Sequence, residues 1–156
     1  GTGIGGGLIL ENKIWRGPLG TGGEFGMGIS EFNPSSHSRT LEAIASRSGF
    51  QNNLHDPTLD TEMIVSRYGT ESVLTDAVND GARRIGTAIA NTVTLLSLDT
   101  VVLGGGLIES LGAPYISVIR DQFESDVFPD HCKQCKFKST ELGPDAGLLG
   151  TSLLAS

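Results

Sequence analysis

At 156 residues, of which 38% are hydrophobic, the chain is sized for one domain with a packed core, spanning residues 1–156. Its formal charge of −7 opposes non-specific attraction to nucleic acid or to an anionic membrane surface, so any phosphate it binds must be held locally. No apolar run approaches the roughly 20 residues of a membrane span, and the glycine-rich start is not a signal peptide, which together read as a soluble, cytoplasmic protein.

The first seven residues, Gly1-Thr2-Gly3-Ile4-Gly5-Gly6-Gly7, carry five glycines and a threonine. So bare a backbone lets an anion approach its amide groups closely, although a flexible lead into the strand that follows has the same composition. Residues 6–16 read as a hairpin with its turn at Glu11-Asn12-Lys13. From Gly17 to Ser38 the glycines and prolines predict a long loop, and loops of that length usually serve a function. A short helix is expected from Thr40 to Ser48 with Gly49 as its stop, and a second from Asp60 to Tyr68. Thr70 then caps a long helix reaching about Ser97, whose Leu74, Val78, Ile85, Ile89 and Val93 recur at helical spacing. Its glycines and alanines fit close packing against a neighbour, or simple helix filler.

The run 99–103 predicts a buried strand ending in the turn Gly104-Gly105-Gly106. A helix from about Pro114 to Phe128, a strand near Phe137 to Leu142 and a last helix from Ala146 complete an α/β unit, in which ligands gather at the carboxyl ends of strands. Cys132 and Cys135 form a C-x-x-C with His131 beside it, but no second pair completes a zinc site, so plain thiols are expected.

Three stretches acquire meaning together: the opening glycines with Gly22-Gly23-Glu24-Phe25-Gly26, then Leu41-Glu42-Ala43-Ile44-Ala45-Ser46, then Val101 to Gly106 with Pro144-Asp145-Ala146-Gly147. In their order and separation they resemble the C-terminal half of the ROK family, bacterial sugar kinases and sugar-responsive repressors of the actin-like ATPase superfamily. The resemblance implies a ribonuclease-H-like lobe, with a mixed sheet, packed helices and a first strand lying upstream of Gly1. It implies that Gly1, Thr2 and Gly3 hold the phosphates of ATP, that Gly104, Gly105 and Gly106 lie beside the nucleoside, and that Glu24 and Glu42 accept hydrogen bonds from a hexose. Ionised carboxylates suit that last task, since each offers two acceptor oxygens to vicinal hydroxyls.

The chain also departs from the family pattern. Met27 stands where many members place a histidine, and the positions of their zinc-binding cysteines fall near Asn33, Ser35 and Thr40, so no structural zinc is expected; His37 reads as a surface residue. The first phosphate loop and the catalytic aspartate of family kinases belong to the N-terminal half, and Asp80, inside the long helix, is not a substitute. The resemblance therefore implies one lobe of an ATP- and Mg²⁺-dependent hexose kinase, inactive without its N-terminal lobe and commonly a homodimer. The alternative is the sugar-sensing lobe of a repressor, which would read DNA through a separate element rather than through this one. A degenerate lobe kept for assembly is a third reading.

Overall fold

The computed structural model describes residues 2–33 and 37–154. The glycine loop runs into a small antiparallel ladder, β1 (Ile9–Leu10) with β2 (Lys13–Ile14), in which Ile9 faces Ile14. Glu11 and Asn12 turn the hairpin with φ of 51° and 61°, the left-handed pair that matches the twist of the flanking strands.

The expected loop from 17 to 38 has structure of its own. A 3-10 turn covers Phe25–Met27, and β3 (Ile29–Glu31) pairs antiparallel with β4 (Arg39–Thr40) across a register shift. Strands this short leave no alternating pattern for sequence reading to find. Thr40 then caps α1 (Leu41–Ala45), its Oγ1 accepting the Ala43 N–H at 3.2 Å. The helix predicted to Ser48 breaks earlier, at Ser46, whose Oγ accepts the Gly49 N–H at 3.0 Å and starts α2 (Arg47–Asn53). Gly49 is thus a residue of a helix and not its stop. It is small because α2 folds back tightly on α1: a Cβ there would stand 2.8 Å from the Ala43 carbonyl oxygen.

Asp60 caps α3 (Thr61–Arg67), accepting the Met63 N–H at 2.8 Å. The spine of the molecule is α4 (Ser72–Leu96), which buries Leu74, Val78, Ala82, Ile89, Ala90 and Val93 along one stripe. Thr70 does not cap it. The Thr70 hydroxyl donates instead to the Arg67 carbonyl at 2.9 Å, and Glu71 takes the cap position without a side-chain bond.

After α4 the chain forms β5 (Thr100–Leu103), α5 (Gly106–Leu111), α6 (Ala113–Asp126), β6 (Lys136–Ser139) and α7 (Ala146–Leu154). β5 and β6 pair in parallel, Thr100 opposite Lys136 through Leu103 opposite Ser139, and parallel pairing requires the crossover that α5 and α6 supply. The sequence reading missed α5, whose six residues follow the glycine turn directly. The fold is α/β with packed helices, as expected. Its strands run in both senses but, among the described residues, form three separate two-stranded ladders instead of one mixed sheet.

The small residues of α4 prove to be packing surfaces. α4 lies along α6 at Gly86, where a Cβ would be 2.8 Å from Gln122 Cβ and 3.1 Å from Phe123 N. At Gly81 it meets Phe50 of α2, 3.0 Å from such a Cβ, and Ala45 of α1. One apolar core results, with Phe50, Ile64, Val78, Tyr115, Ile119 and Phe123 at its centre.

Candidate functional site

Glycine is required in the opening loop because backbone meets backbone there. A Cβ at Gly6 would lie 2.9 Å from the Gly23 carbonyl oxygen, and one at Gly23, whose φ is +96°, 2.8 Å from that of Gly6. This contact carries Glu24 to the loop. The Glu24 carboxylate is exposed and accepts no hydrogen bond among the described residues. Gly26, two residues on, packs against the Ile4 carbonyl, and its own Cβ would be 3.0 Å from the Ile4 carbonyl carbon.

From the other side the loop meets α1. The Ile4 N–H donates to Glu42 Oε2 at 2.7 Å, a charge-assisted bond, and a Cβ on Gly3 would come within 2.9 Å of Glu42 Cδ. The Ser48 N–H adds a long bond to the Thr2 carbonyl oxygen, 3.4 Å. The amide that follows the expected phosphate-holding residues Gly1, Thr2 and Gly3 is therefore committed to a carboxylate.

Opposite the loop, β5 ends at Gly104 and Gly105. Gly104 has no Cβ to strike Thr140, which would stand 2.9 Å from it, while Gly105 adopts φ +102° and ψ 166°, a conformation open only to glycine. Between the two glycine segments lies a cleft of about 520 Å³. Gly3 to Leu8 and Glu24 form one wall, Val101 to Gly105 the other, and Ile89 and Val93 of α4 contribute to the floor. Its lining is mostly apolar with a few polar groups, the composition of small-molecule sites. Ser46, 2% exposed, and Tyr115, 1% exposed, also reach it. The buried Tyr115 hydroxyl has no hydrogen-bond partner among the described residues, and burial raises its pKa above the usual phenol range.

Of the residues singled out from the sequence, Gly3, Glu24, Gly104 and Gly105 thus share one cleft. Glu42 does not line it and touches the loop at Gly3 and Ile4 instead; Thr2 is exposed, and Gly106 opens α5 outside the lining. Gly1 and Ser35 lie outside the described residues. Sequence reading missed Ser46, for which the Ser-x-x-Gly spacing of a helix cap was the available signal, and Tyr115, for which there was none. Asp80 is spent in a strut: it pairs with Arg84 at 2.7 Å, and Arg84 also reaches Glu31 at 3.4 Å and the Ser30 carbonyl at 3.2 Å. Thr40, near which the family pattern places a zinc-binding cysteine, caps a helix, and Met27 is half exposed. Among the described residues no group of three or more His, Cys, Asp or Glu could hold a metal, and no helix is long and apolar enough to cross a membrane.

Comparison with known proteins agrees with this architecture. The ROK family profile matches residues 1–156. The glucokinase of Halalkalibacterium halodurans is 28% identical over 96% of this chain and 52% of its own length. The N-acetylmannosamine kinase of Haemophilus influenzae is 26% identical over 97% of the chain and 51% of its length. The xylose repressor of Lactiplantibacillus pentosus is 25% identical over 97% of the chain and 39% of its own. The crystal structure of the ROK hexokinase of Thermus thermophilus superposes with a TM-score of 0.82 and 26% identity over 98% of this chain and 54% of that one. A ROK glucokinase of Streptomyces griseus, solved with glucose and AMPPNP, has a TM-score of 0.77 at 23% identity over 99% of this chain and 57% of that one, a likeness of fold. The chain spans about half the length of the curated relatives it matches first.

Proposed function

The chain belongs to the ROK family, and on that premise we propose that it is the C-terminal lobe of an ATP-dependent hexose kinase. The observation that carries the reading is the convergence of the opening glycine loop, Glu24 and the turn at Gly104 and Gly105 on one cleft. In this reading Gly1, Thr2 and Gly3 hold the terminal phosphates through backbone amides and the Thr2 hydroxyl. Gly104, Gly105 and Gly106 seat the nucleoside, and Glu24 and Glu42 orient the acceptor hydroxyl by accepting from its neighbours. The known names of the relatives support phosphoryl transfer to a sugar: one is a glucokinase and one an N-acetylmannosamine kinase.

Mg²⁺ neutralises charge on the phosphates in such reactions and is bound largely by them and by water. In this reading the ion arrives with the nucleotide. The general base that takes the hydroxyl proton is assigned to the N-terminal lobe, where the family pattern carries its catalytic aspartate, while Asp80 sits inside α4 paired with Arg84. Purified full-length protein should phosphorylate glucose, fructose or N-acetylmannosamine in a coupled ADP-release assay, and Glu24→Gln should lower kcat/KM about 100-fold. Residues 1–156 alone should turn over none of them. Turnover by the isolated lobe at ordinary kinase rates sinks the assignment of the base.

The likeness to a xylose repressor favours one second reading, a sugar-sensing lobe whose DNA-binding element lies elsewhere. Sugar-dependent release of DNA by the full-length protein, without phosphorylation, would replace the first reading by this one. A homodimer belongs to either, and light scattering would detect it.

A further inference from the structure

Glu42 is assigned above to the sugar, yet it is the residue that holds the glycine loop. Its Oε2 accepts the Ile4 N–H at 2.7 Å, and the Gly3 backbone lies so close that a Cβ would enter the carboxylate, 2.9 Å from Cδ. Its other oxygen, Oε1, accepts no bond among the described residues. α1 cannot drift from the loop without cost. Ile4 is clamped on its carbonyl side by Gly26, the Ser48 N–H reaches the Thr2 carbonyl, and the Leu41 N–H donates to the Gly28 carbonyl at 2.8 Å. Both acid-bearing segments and the glycine loop are thus joined through Ile4.

We infer that Glu42 is a positioning residue for the phosphate loop as well as an acceptor for the hexose, one oxygen serving each, so that the two substrates are coupled through a single carboxylate. The inference rests on the kinase reading. A hydroxyl donating to Oε1 fixes the rotamer that places Oε2 on Ile4, and a loop fixed by bound phosphate presents Oε1 to the sugar. Linkage makes the effect reciprocal: whatever factor the hexose contributes to nucleotide affinity, the nucleotide returns to the hexose. Gly3 is glycine, on this account, because the carboxylate occupies the volume of its side chain.

The test is calorimetric titration of the full-length protein with AMPPNP alone, with glucose and N-acetylmannosamine alone, and with each in the presence of the other. Glu42→Ala should weaken AMPPNP binding about tenfold with no sugar present, because the loop loses its anchor. Glu42→Gln, whose amide oxygen can still accept the Ile4 N–H, should restore that affinity to within about twofold while leaving hexose binding weak. Gly3→Ala, whose methyl would push the Glu42 carboxylate off the loop, should weaken AMPPNP and hexose binding together. Circular dichroism and thermal melts of each variant separate these effects from loss of fold; if Glu42→Ala does not fold, the test is the change in AMPPNP affinity at saturating hexose, which should be present in the wild type and absent in Glu42→Gln, and its absence in the wild type overturns the coupling. Equal AMPPNP affinity in wild type, Glu42→Ala and Glu42→Gln, with only hexose binding lost, overturns the coupling and leaves the kinase reading standing. Failure of the wild type to bind either ligand overturns both.

Discussion

Replacing Gly86 by alanine should destabilise the protein although alanine is the better helix former. In an exposed helix the change would gain about 1 kcal/mol. Here the new methyl would stand 2.8 Å from Gln122 Cβ and 3.1 Å from Phe123 N, and closer still to the Ile119 carbonyl oxygen. Ordinary carbon contacts lie near 3.5–4.0 Å, so α6 must retreat by roughly 0.7–1 Å. The obstacle is backbone and cannot turn aside, which puts the overpacking cost at the upper end of about 1–3 kcal/mol. Part of that cost is the loosening of Ile119 and Phe123, which are 0% and 1% exposed. A net loss of about 1–2 kcal/mol corresponds to a fall in Tm of about 2–8 °C for a domain of this size. Melts followed at 222 nm read it directly. Gly150→Ala in α7, with nothing within 4 Å of its Cβ, is the control and should hold or raise Tm. If Gly86→Ala raises Tm as the control does, the close crossing of α4 and α6 is wrong.

Three further outcomes can be measured on the same material. Cys135 is 6% exposed, and burial, with smaller contributions from Asp99 and Cys132, pushes its thiol above the ordinary range. Iodoacetamide at pH 8 followed by peptide mapping should therefore label the more exposed Cys132 at least about tenfold faster than Cys135, and comparable rates would refute the burial. The sign for stability follows: a thiol whose pKa is raised on folding contributes stability that is whole below about pH 8.5 and is lost as pH rises through the folded value. Cys135→Ala should accordingly flatten the alkaline decline in Tm. At the turn, Gly105→Ala forces a φ of +102° on a residue with a Cβ and should cost about 1–3 kcal/mol, whereas Gly106→Ala, with nothing within 4 Å, should cost little. Equal melts for the two variants would contradict the turn geometry.

What could be read from the residues was whatever depends on local chemistry. α4 was legible because a stripe of Leu74, Val78, Ile89 and Val93 extends over more than five turns, and α3 because Asp60 announces its cap. The break at Ser46 was not, since Gly49 carries the composition of a stop signal and only its packing on α1 shows that it continues a helix. β3 and β4 were too short to show a period. For the site, glycines and acids in recognisable order named the participants. That Glu24 would share a cleft with Gly104 and Gly105, and that Glu42 would instead bind the Ile4 amide, depends on contacts between residues 38 or more positions apart. No window along the chain contains both partners of such a contact.

α4 is a ruler. It touches α1, the helix of Glu42, at Gly81, and it reaches the floor of the cleft at Ile89 and Val93. Twelve residues of helix separate the first of these contacts from the last, about 18 Å at 1.5 Å per residue. The spacing between the acid-bearing helix and the turn at Gly105 is therefore quantised. One residue inserted between Gly81 and Gly86 would advance the far end by about 1.5 Å and turn it by about 100°, carrying Gly86 off α6 and pointing Ile89 away from the cleft. An insertion in the connection between α2 and α3 would shift no such register. Length variation in proteins built on this plan should accordingly fall in that connection and in the segment before β4, while the stretch from Gly81 to Val93 stays fixed in length even where its residues change.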